Sequence, residues 1–239
     1  DCACGAAYAI APKVFASFGA TDVRRIDPEP DGTNINDGSG ALHPERMLEA
    51  HAKTPSNISF AFDGDADRVL LADGDGILRD GDDILAFCTA AYFKLHRINP
   101  LNFNSDTSLS DQVIELLLFD HRHLLNKKKN LPLAIVGTVL SNVGLEQFLK
   151  THGVELLRAD VGDRKVTELI EREGAWMGGE PSGHIIIPQW GPTGDGIVTA
   201  LTILLASTSS GLRFPEALAR FKRCPSVQRN VRVREKPPL

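Results

Sequence analysis

An α/β fold, built from two consecutive α/β/α units with mixed sheets, is predicted by the order of apolar segments along the chain. Short strand-like apolar runs alternate with stretches in which apolar residues recur at helical spacing. This rhythm occurs over residues 1–100 and again over residues 131–225, with a polar stretch between them. Carboxylates directly follow two of the strand-like runs, at Asp63 and Asp160. Because ligands gather at strand ends in such folds, these positions are candidate sites.

The first unit is predicted to alternate helices with short strands. Helical spacing over residues 8–18 ends at Gly19, and Pro44 suits the first turn of a second helix. A long helix with an apolar stripe follows, capped by Asp82 or Asp83. Residues 27–40 are rich in Pro, Gly, Asn and Asp and are predicted to form a loop. Strands are predicted at residues 23–26, 58–62, 69–72 and 77–78, the last two flanking an Asp-Gly-Asp-Gly hairpin turn.

The second unit is predicted to repeat this rhythm. Its last helix is strongly apolar and is expected to start behind Thr193 or Asp195. Residues 101–130 are predicted to be an irregular connection with one helix behind Ser110, and residues 226–239 a linker. Strands are predicted at residues 133–136, 154–159, 176–178 and 185–187, and helices at residues 143–149, 166–170 and 197–205.

Composition narrows the class of protein. The chain has 239 residues, of which 42% are hydrophobic and 24% charged, as is ordinary for a soluble globular protein. A net charge of −5 provides no electrostatic footprint for nucleic acid. No apolar stretch is long enough to cross a membrane, and no signal peptide is visible. The four cysteines are too few for a disulfide scaffold, so we expect reduced thiols in a cytoplasmic protein.

Three carboxylates, Asp63, Asp65 and Asp67, alternate with small residues directly after a predicted strand. Such groups repel one another, and a hard divalent cation, with Mg²⁺ the first choice, relieves that repulsion. A solvated acidic loop remains an alternative, because Asp and Gly are turn residues. A calcium loop would need a glutamate where Gly74 stands. An aspartyl-phosphate phosphatase, which usually has Thr or Val at the position of Asp67, is the second candidate chemistry.

A glycine-rich loop at residues 179–184 follows another predicted strand. Its glycines allow a ligand to approach the backbone, and Glu180 and Ser182 offer groups that bind sugar hydroxyls. A polar hairpin is the alternative interpretation. A single histidine before an apolar strand, such as His184, is more often a hydrogen-bonded structural residue than an acid or base. Asp163 and Arg164 follow another predicted strand, and a surface ion pair between them is a sufficient interpretation without a catalytic role.

The Asp-Gly-Asp-Ala-Asp-Arg segment at residues 63–68 resembles the metal-binding loop of the α-D-phosphohexomutases. Residues 161–164 and 179–184 resemble that family's third-domain loops and occur in the expected order. Residues 136–142 and 193–198 are most similar to members that act on hexosamine phosphates. The resemblance covers the central two domains of that family. It therefore implies a metal-binding domain at residues 1–100, a sugar-binding domain at residues 131–225, and further N-terminal and C-terminal domains of the same polypeptide.

The resemblance implies a mutase that converts glucosamine 6-phosphate to glucosamine 1-phosphate through a phosphoserine and a bisphosphate intermediate. It implies Mg²⁺ bound by the three aspartates and the phosphoserine, with Arg68 stabilising the anionic surroundings. Arg68 and His184 are then the catalytic candidates. The substrate-binding residues implied for the small-molecule hexose phosphate are Gly179, Glu180, Ser182, Asp163 and Arg164.

No segment of the 239 residues resembles the family's phosphoserine loop. We therefore expect this chain alone to be inactive. Two alternatives remain open: another phosphohexomutase, acting on mannose or glucose phosphate, and a non-catalytic module that binds sugar phosphate. The sequence indicates neither the identity of the hexose nor the oligomeric state.

Overall fold

The part of the chain described by the computed structural model comprises residues 1–26, 29–98 and 133–227. The predicted connection at residues 101–130, including its helix behind Ser110, lies outside these ranges, as does most of the linker at residues 226–239. The division into domains at residues 100, 130 and 225 therefore stays a prediction. The described residues form an α/β fold with two sheets, which confirms the predicted class.

The first sheet is an antiparallel meander in the order β1-β2-β3. Strand β1 (Ser59–Phe62) pairs with β2 (Val69–Ala72), and β2 pairs with β3 (Leu78–Arg79). In the β2–β3 turn, Asp73 accepts hydrogen bonds at Oδ1 from the N–H groups of Asp75 and Ile77, and its Oδ2 accepts from Arg79. The prediction that the Asp-Gly-Asp-Gly segment at residues 73–76 forms a hairpin turn is confirmed.

The N-terminal segment borders β1. The terminal amine of Asp1 donates to the Phe60 carbonyl at 2.7 Å, and Phe62 N–H donates to the Asp1 carbonyl. The strand predicted at residues 23–26 is wrong, because these residues have irregular backbone. Two apolar side chains separated by Arg24 and Arg25 do not create a buried face. The segment is held instead by a backbone contact to the N-terminal residues, in which the Cys2 N–H donates a hydrogen bond to the Ile26 carbonyl.

The helices of the first half are α1 (Ala11–Ser17), α2 (Glu45–Lys53) and α3 (Gly81–Ile98). Helix α1 is shorter than predicted, since Tyr8 lies in a preceding 3₁₀ turn. The cap predicted for α3 is also wrong. Asp80 Oδ1 accepts from the N–H groups of Asp82 and Asp83, and Asp83 Oδ2 accepts from Asp80 N–H. The carboxylate that precedes the helix is the one that reaches its first free N–H groups.

The second sheet is mixed, in the order β5-β4-β6-β7. Its central strand β4 (Ala134–Thr138) runs parallel to β5 (Glu155–Ala159) and to β6 (Met177–Gly179), and β7 (Ile185–Ile186) is antiparallel to β6. The strand predictions here are correct within two residues. The accompanying helices are α4 (Val143–Lys150), α5 (Asp163–Glu173), α6 (Gly196–Ser210) and α7 (Phe214–Ala217).

One hydrophobic core joins the two sheets. Helix α3 continues from the first sheet but packs against α6, α4, α7 and β6. Phe87 of α3 is fully buried and stacks on Phe214, with ring centroids 4.1 Å apart. Because the core is shared, the end of β1 and the start of β7 are held next to each other.

Within the described ranges, no helix combines the length and apolar character needed to cross a bilayer.

Candidate metal and sugar site

The acidic loop, residues 63–68, is the connection between β1 and β2, whose last pair is Phe62 with Val69. Ala66 N–H donates to the Asp63 carbonyl, and Ala66 has the left-handed φ of 63°. This sharp turn brings one carboxylate oxygen from each of Asp63, Asp65 and Asp67 within 4.8 Å of the others. The alternating carboxylates of the sequence therefore form one cluster.

Burial, together with the neighbouring Asp67, raises the pKa of Asp63 to about 6, against the opposing effect of the Arg68 N–H, which donates to Asp63 Oδ1. The guanidinium Nε of Arg68 lies 3.3 Å from Asp63 Oδ2 and 3.5 Å from Asp67 Oδ1. That same Asp67 oxygen is buried and accepts no hydrogen bond from the part of the chain described. The Arg68 guanidinium thus lies beside two of the three carboxylates, and the cluster keeps acceptor capacity for a cation.

The donor set of this cluster fits a hard divalent cation. All three candidate ligands are carboxylates, and carboxylate oxygen is what Mg²⁺ and Ca²⁺ prefer. A bound dication would also favour the charged form of Asp63, which burial disfavours. Thiolate or imidazole ligands, which would favour zinc or copper, are absent from the group.

The glycine-rich loop at residues 179–184, the candidate sugar-binding segment and hereafter the sugar loop, packs directly against the acidic loop. Val69 N–H donates to the Gly183 carbonyl at 3.1 Å, and Arg68 forms a β-bridge with His184. His184 Nδ1 lies 3.1 Å from Asp67 Oδ2. Gly183 has a φ of 90°, and a Cβ at this residue would lie 2.3 Å from the Val69 carbonyl oxygen. Glycine is therefore required at residue 183 for the two loops to meet.

Glu180 links the sugar loop to the loop at residues 161–164. Its Oε1 accepts a hydrogen bond from Gly162 N–H at 2.9 Å, and Ser182 Oγ lies 3.5 Å from its Oε2. Gly162 was not among the predicted residues; its φ of 126° orients that N–H group. Its signal in the sequence is its place within residues 161–164, the segment that resembles one of the family's third-domain loops.

The other predicted substrate residues lie on either side of Glu180. Gly179 is buried in β6, where it pairs with Ile185. Arg164 is exposed and pairs with Glu168 at 2.8 Å, whereas the Asp163 carboxylate accepts from the Arg164 N–H. Arg164 thus pairs with Glu168, one turn further along α5, rather than with Asp163, which was the alternative interpretation of these two residues.

Comparison with known sequences assigns the family. The family described as Phosphoglucomutase/phosphomannomutase, alpha/beta/alpha domain III, matches residues 110–224. A phosphoglucosamine mutase of Pelotomaculum thermopropionicum is 39% identical over 236 residues, which cover 99% of this chain. The chain belongs to the phosphohexomutase family. It spans 46% of the length of that relative.

Solved phosphohexomutase structures share the fold. A phosphoglucomutase/phosphomannomutase family protein from Burkholderia thailandensis matches with a TM-score of 0.66 and 24% identity, over 95% of this chain and 43% of its own. The Aspergillus fumigatus N-acetylphosphoglucosamine mutase, solved in complex with GlcNAc-6P and magnesium, matches with a TM-score of 0.58 and 18% identity. That match covers 85% of this chain and 44% of the fungal one.

Proposed function

We propose that this chain carries the metal-binding and sugar-binding loops of a phosphoglucosamine mutase. Such an isomerase moves phosphate between the 6- and 1-oxygens of glucosamine phosphate through a bisphosphate intermediate and a phosphoserine. The observation that carries the proposal is the direct contact between the three-aspartate cluster and the sugar loop. The relatives named phosphoglucosamine mutase, and the fungal structure solved with GlcNAc-6P and magnesium, support it.

Asp63, Asp65 and Asp67 would hold Mg²⁺. A cation held by these carboxylates would supply charge neutralisation for the phosphoryl group. Arg68 lowers the repulsion within the cluster, since its Nε lies 3.3 Å from Asp63 and 3.5 Å from Asp67. The guanidinium is also partly exposed, so it is able to approach an anionic substrate beside the cluster.

Glu180 and Ser182 would bind the sugar hydroxyls. Glu180 Oε1 is held by Gly162 N–H, so the carboxylate is fixed in direction. Its Oε2 accepts a long bond of 3.5 Å from Ser182 Oγ and keeps a lone pair that would accept from a sugar hydroxyl. The Ser182 hydroxyl is exposed beside it. Arg164 is engaged in an exposed ion pair of small net strength, so its guanidinium could exchange Glu168 for a substrate phosphate at little cost. Asp163 would shape this loop through its bond to Arg164 N–H.

The nucleophile would come from a phosphoserine loop that these 239 residues do not contain. We therefore propose that the chain binds Mg²⁺ and glucosamine 6-phosphate but does not interconvert the phosphates by itself. Incubation with Mg²⁺, glucosamine 6-phosphate and its 1,6-bisphosphate, followed by ³¹P NMR, tests this. Turnover by residues 1–239 alone would mean that another residue carries the phosphate.

Binding of glucosamine 6-phosphate, measured by calorimetry with Mg²⁺ present, tests the sugar site. Glu180→Ala should weaken binding by about 1 to 3 kcal/mol, because a hydrogen-bonding carboxylate is removed. Glu171→Ala, on the exposed side of α5, is the matched control and should bind as the wild type does. Equal affinities of Glu180→Ala and the wild type would contradict the assignment. Stronger binding of mannose 6-phosphate would favour a phosphomannomutase instead.

A further inference from the structure

His184 faces a predicted metal ligand from the opposite side of the site. Its Nδ1 lies 3.1 Å from Asp67 Oδ2, although 117 positions separate the two residues in sequence. An ionised carboxylate only accepts hydrogen bonds, so the proton of this bond is on Nδ1. The imidazole therefore fixes the direction of the Asp67 carboxylate while leaving Oδ1 without a hydrogen bond from the described part of the chain.

The second ring nitrogen of His184 is enclosed. Nε2 is buried and has no hydrogen-bond partner among the residues described. Gly194 lies against it, since a Cβ on Gly194 would be 2.6 Å from both Cε1 and Nε2. A general acid or base must reach a substrate proton through one of its nitrogens. In this arrangement Nδ1 is bonded to Asp67 and Nε2 is covered by Gly194.

The backbone holds His184 in register with the acidic loop. The Arg68–His184 bridge and the bond from Val69 N–H to the Gly183 carbonyl fix the residue on one side. On the other side, Gly196 N–H donates to the Ala66 carbonyl at 2.8 Å, which anchors the segment containing Gly194 to the same loop. The imidazole is thus clamped between the acidic loop and residues 194–196.

We propose that His184 is a positioning residue that orients Asp67 for cation binding, with Gly194 holding the imidazole in place. Hydrogen-bond partners of metal ligands commonly fix ligand direction in this way, and their loss weakens metal binding. This role differs from that of a catalytic acid or base, for which the family resemblance made His184 a candidate. It rests on the proposed Mg²⁺ site at Asp63, Asp65 and Asp67.

Calorimetric Mg²⁺ titration of the chain tests this role, with thermal unfolding as a check on folding. His184→Leu removes the hydrogen bond and should weaken Mg²⁺ binding about 10-fold or more. His184→Asn places an amide donor at the position of Nδ1 and should restore most of the affinity. His51→Asn, which removes a buried imidazole from α2 away from the acidic loop, is the matched control and should not change Mg²⁺ affinity.

Gly194→Ala tests the same role without altering His184. The added methyl group must displace the imidazole, so this variant should weaken Mg²⁺ binding as His184→Leu does. Gly191→Ala is the control in the same loop, because a Cβ there meets nothing within 4 Å, and neither glycine has a left-handed φ.

The outcomes separate the two proposals. Wild-type affinity in both His184→Leu and Gly194→Ala would overturn the positioning role and leave the metal site standing. An affinity loss in His184→Asn as large as that in His184→Leu would also overturn it. No Mg²⁺ binding by the wild type would overturn the proposed metal site, and the positioning role with it. If His184→Leu fails to fold, Gly194→Ala and His184→Asn decide the result.

Discussion

Asp82, in the first turn of α3, is a buried carboxylate whose ionisation lowers the stability of the fold. It is 1% exposed, and its Oδ2 accepts from Asn142 N–H at 2.7 Å. Burial, with a smaller contribution from the neighbouring Asp80, raises its pKa from 3.8 to about 6, and the bond from Asn142 opposes this rise. Asp82→Asn retains an acceptor for Asn142 N–H but cannot ionise, so it isolates the effect of the charge.

The size and sign of the effect follow from this pKa. As pH rises from about 4 to about 6, the unfolded carboxyl loses its proton before the folded one does, so the free energy of unfolding falls. A shift of roughly two units corresponds to about 2 to 3 kcal/mol, which is lost by the wild type across this window and not by the variant. Above pH 6 the difference stays constant.

Urea unfolding of the wild type and Asp82→Asn at pH 4 and at pH 7.5 measures this difference. The stability of the variant relative to the wild type should rise by about 2 to 3 kcal/mol between the two pH values. Taking the difference between pH values cancels any constant cost of burying the amide. Asp37→Asn, at an exposed aspartate, is the control and should show no such rise. A change below about 0.5 kcal/mol, or one of opposite sign, would refute the assigned cause.

Two further predictions concern the shared core and the contact between loops. Phe87→Ala should lower the free energy of unfolding by about 3 to 5 kcal/mol in urea titration, because it removes a fully buried ring that stacks on Phe214; a loss below about 1 kcal/mol would contradict the shared core. Gly183→Ala should be more destabilising than Gly153→Ala in the same assay. Both glycines have left-handed φ angles, but a Cβ meets the Val69 carbonyl oxygen at 2.3 Å only in the first case, so equal losses would mean that the loops are not in contact.

Local patterns predicted most of the secondary structure. Apolar runs gave strands β1, β2 and β4–β7, and the apolar stripe gave α3, because these signals depend only on neighbouring residues. Asp195 was correctly chosen as one of two candidate caps of α6, since its side chain accepts from Val198 N–H. The cap of α3 was misplaced because four acidic or glycine residues stand together there, and the competition between Asp80, Asp82 and Asp83 is decided by geometry.

The composition of the site was predictable, and its assembly was not. The aspartates of the acidic loop and the residues of the sugar loop stand out in the sequence because of their residue types and spacing. The bond between His184 and Asp67 joins positions 117 residues apart, and a single sequence contains no signal for such a pair. The contact of Gly194 with the imidazole is equally invisible, because glycine leaves no pattern of its own.

Calorimetric titration of residues 1–239 with Mg²⁺ tests the central claim, that the acidic loop is a cation site, most directly. Asp65→Asn removes one charge from the cluster at nearly constant volume. Asp75→Asn makes the same change in the other Asp-Gly turn, where Asp75 is exposed, and serves as the control. We expect saturable Mg²⁺ binding by the wild type and by Asp75→Asn, and several-fold weaker binding by Asp65→Asn. The same affinity in all three proteins, or no binding by the wild type, would contradict the account.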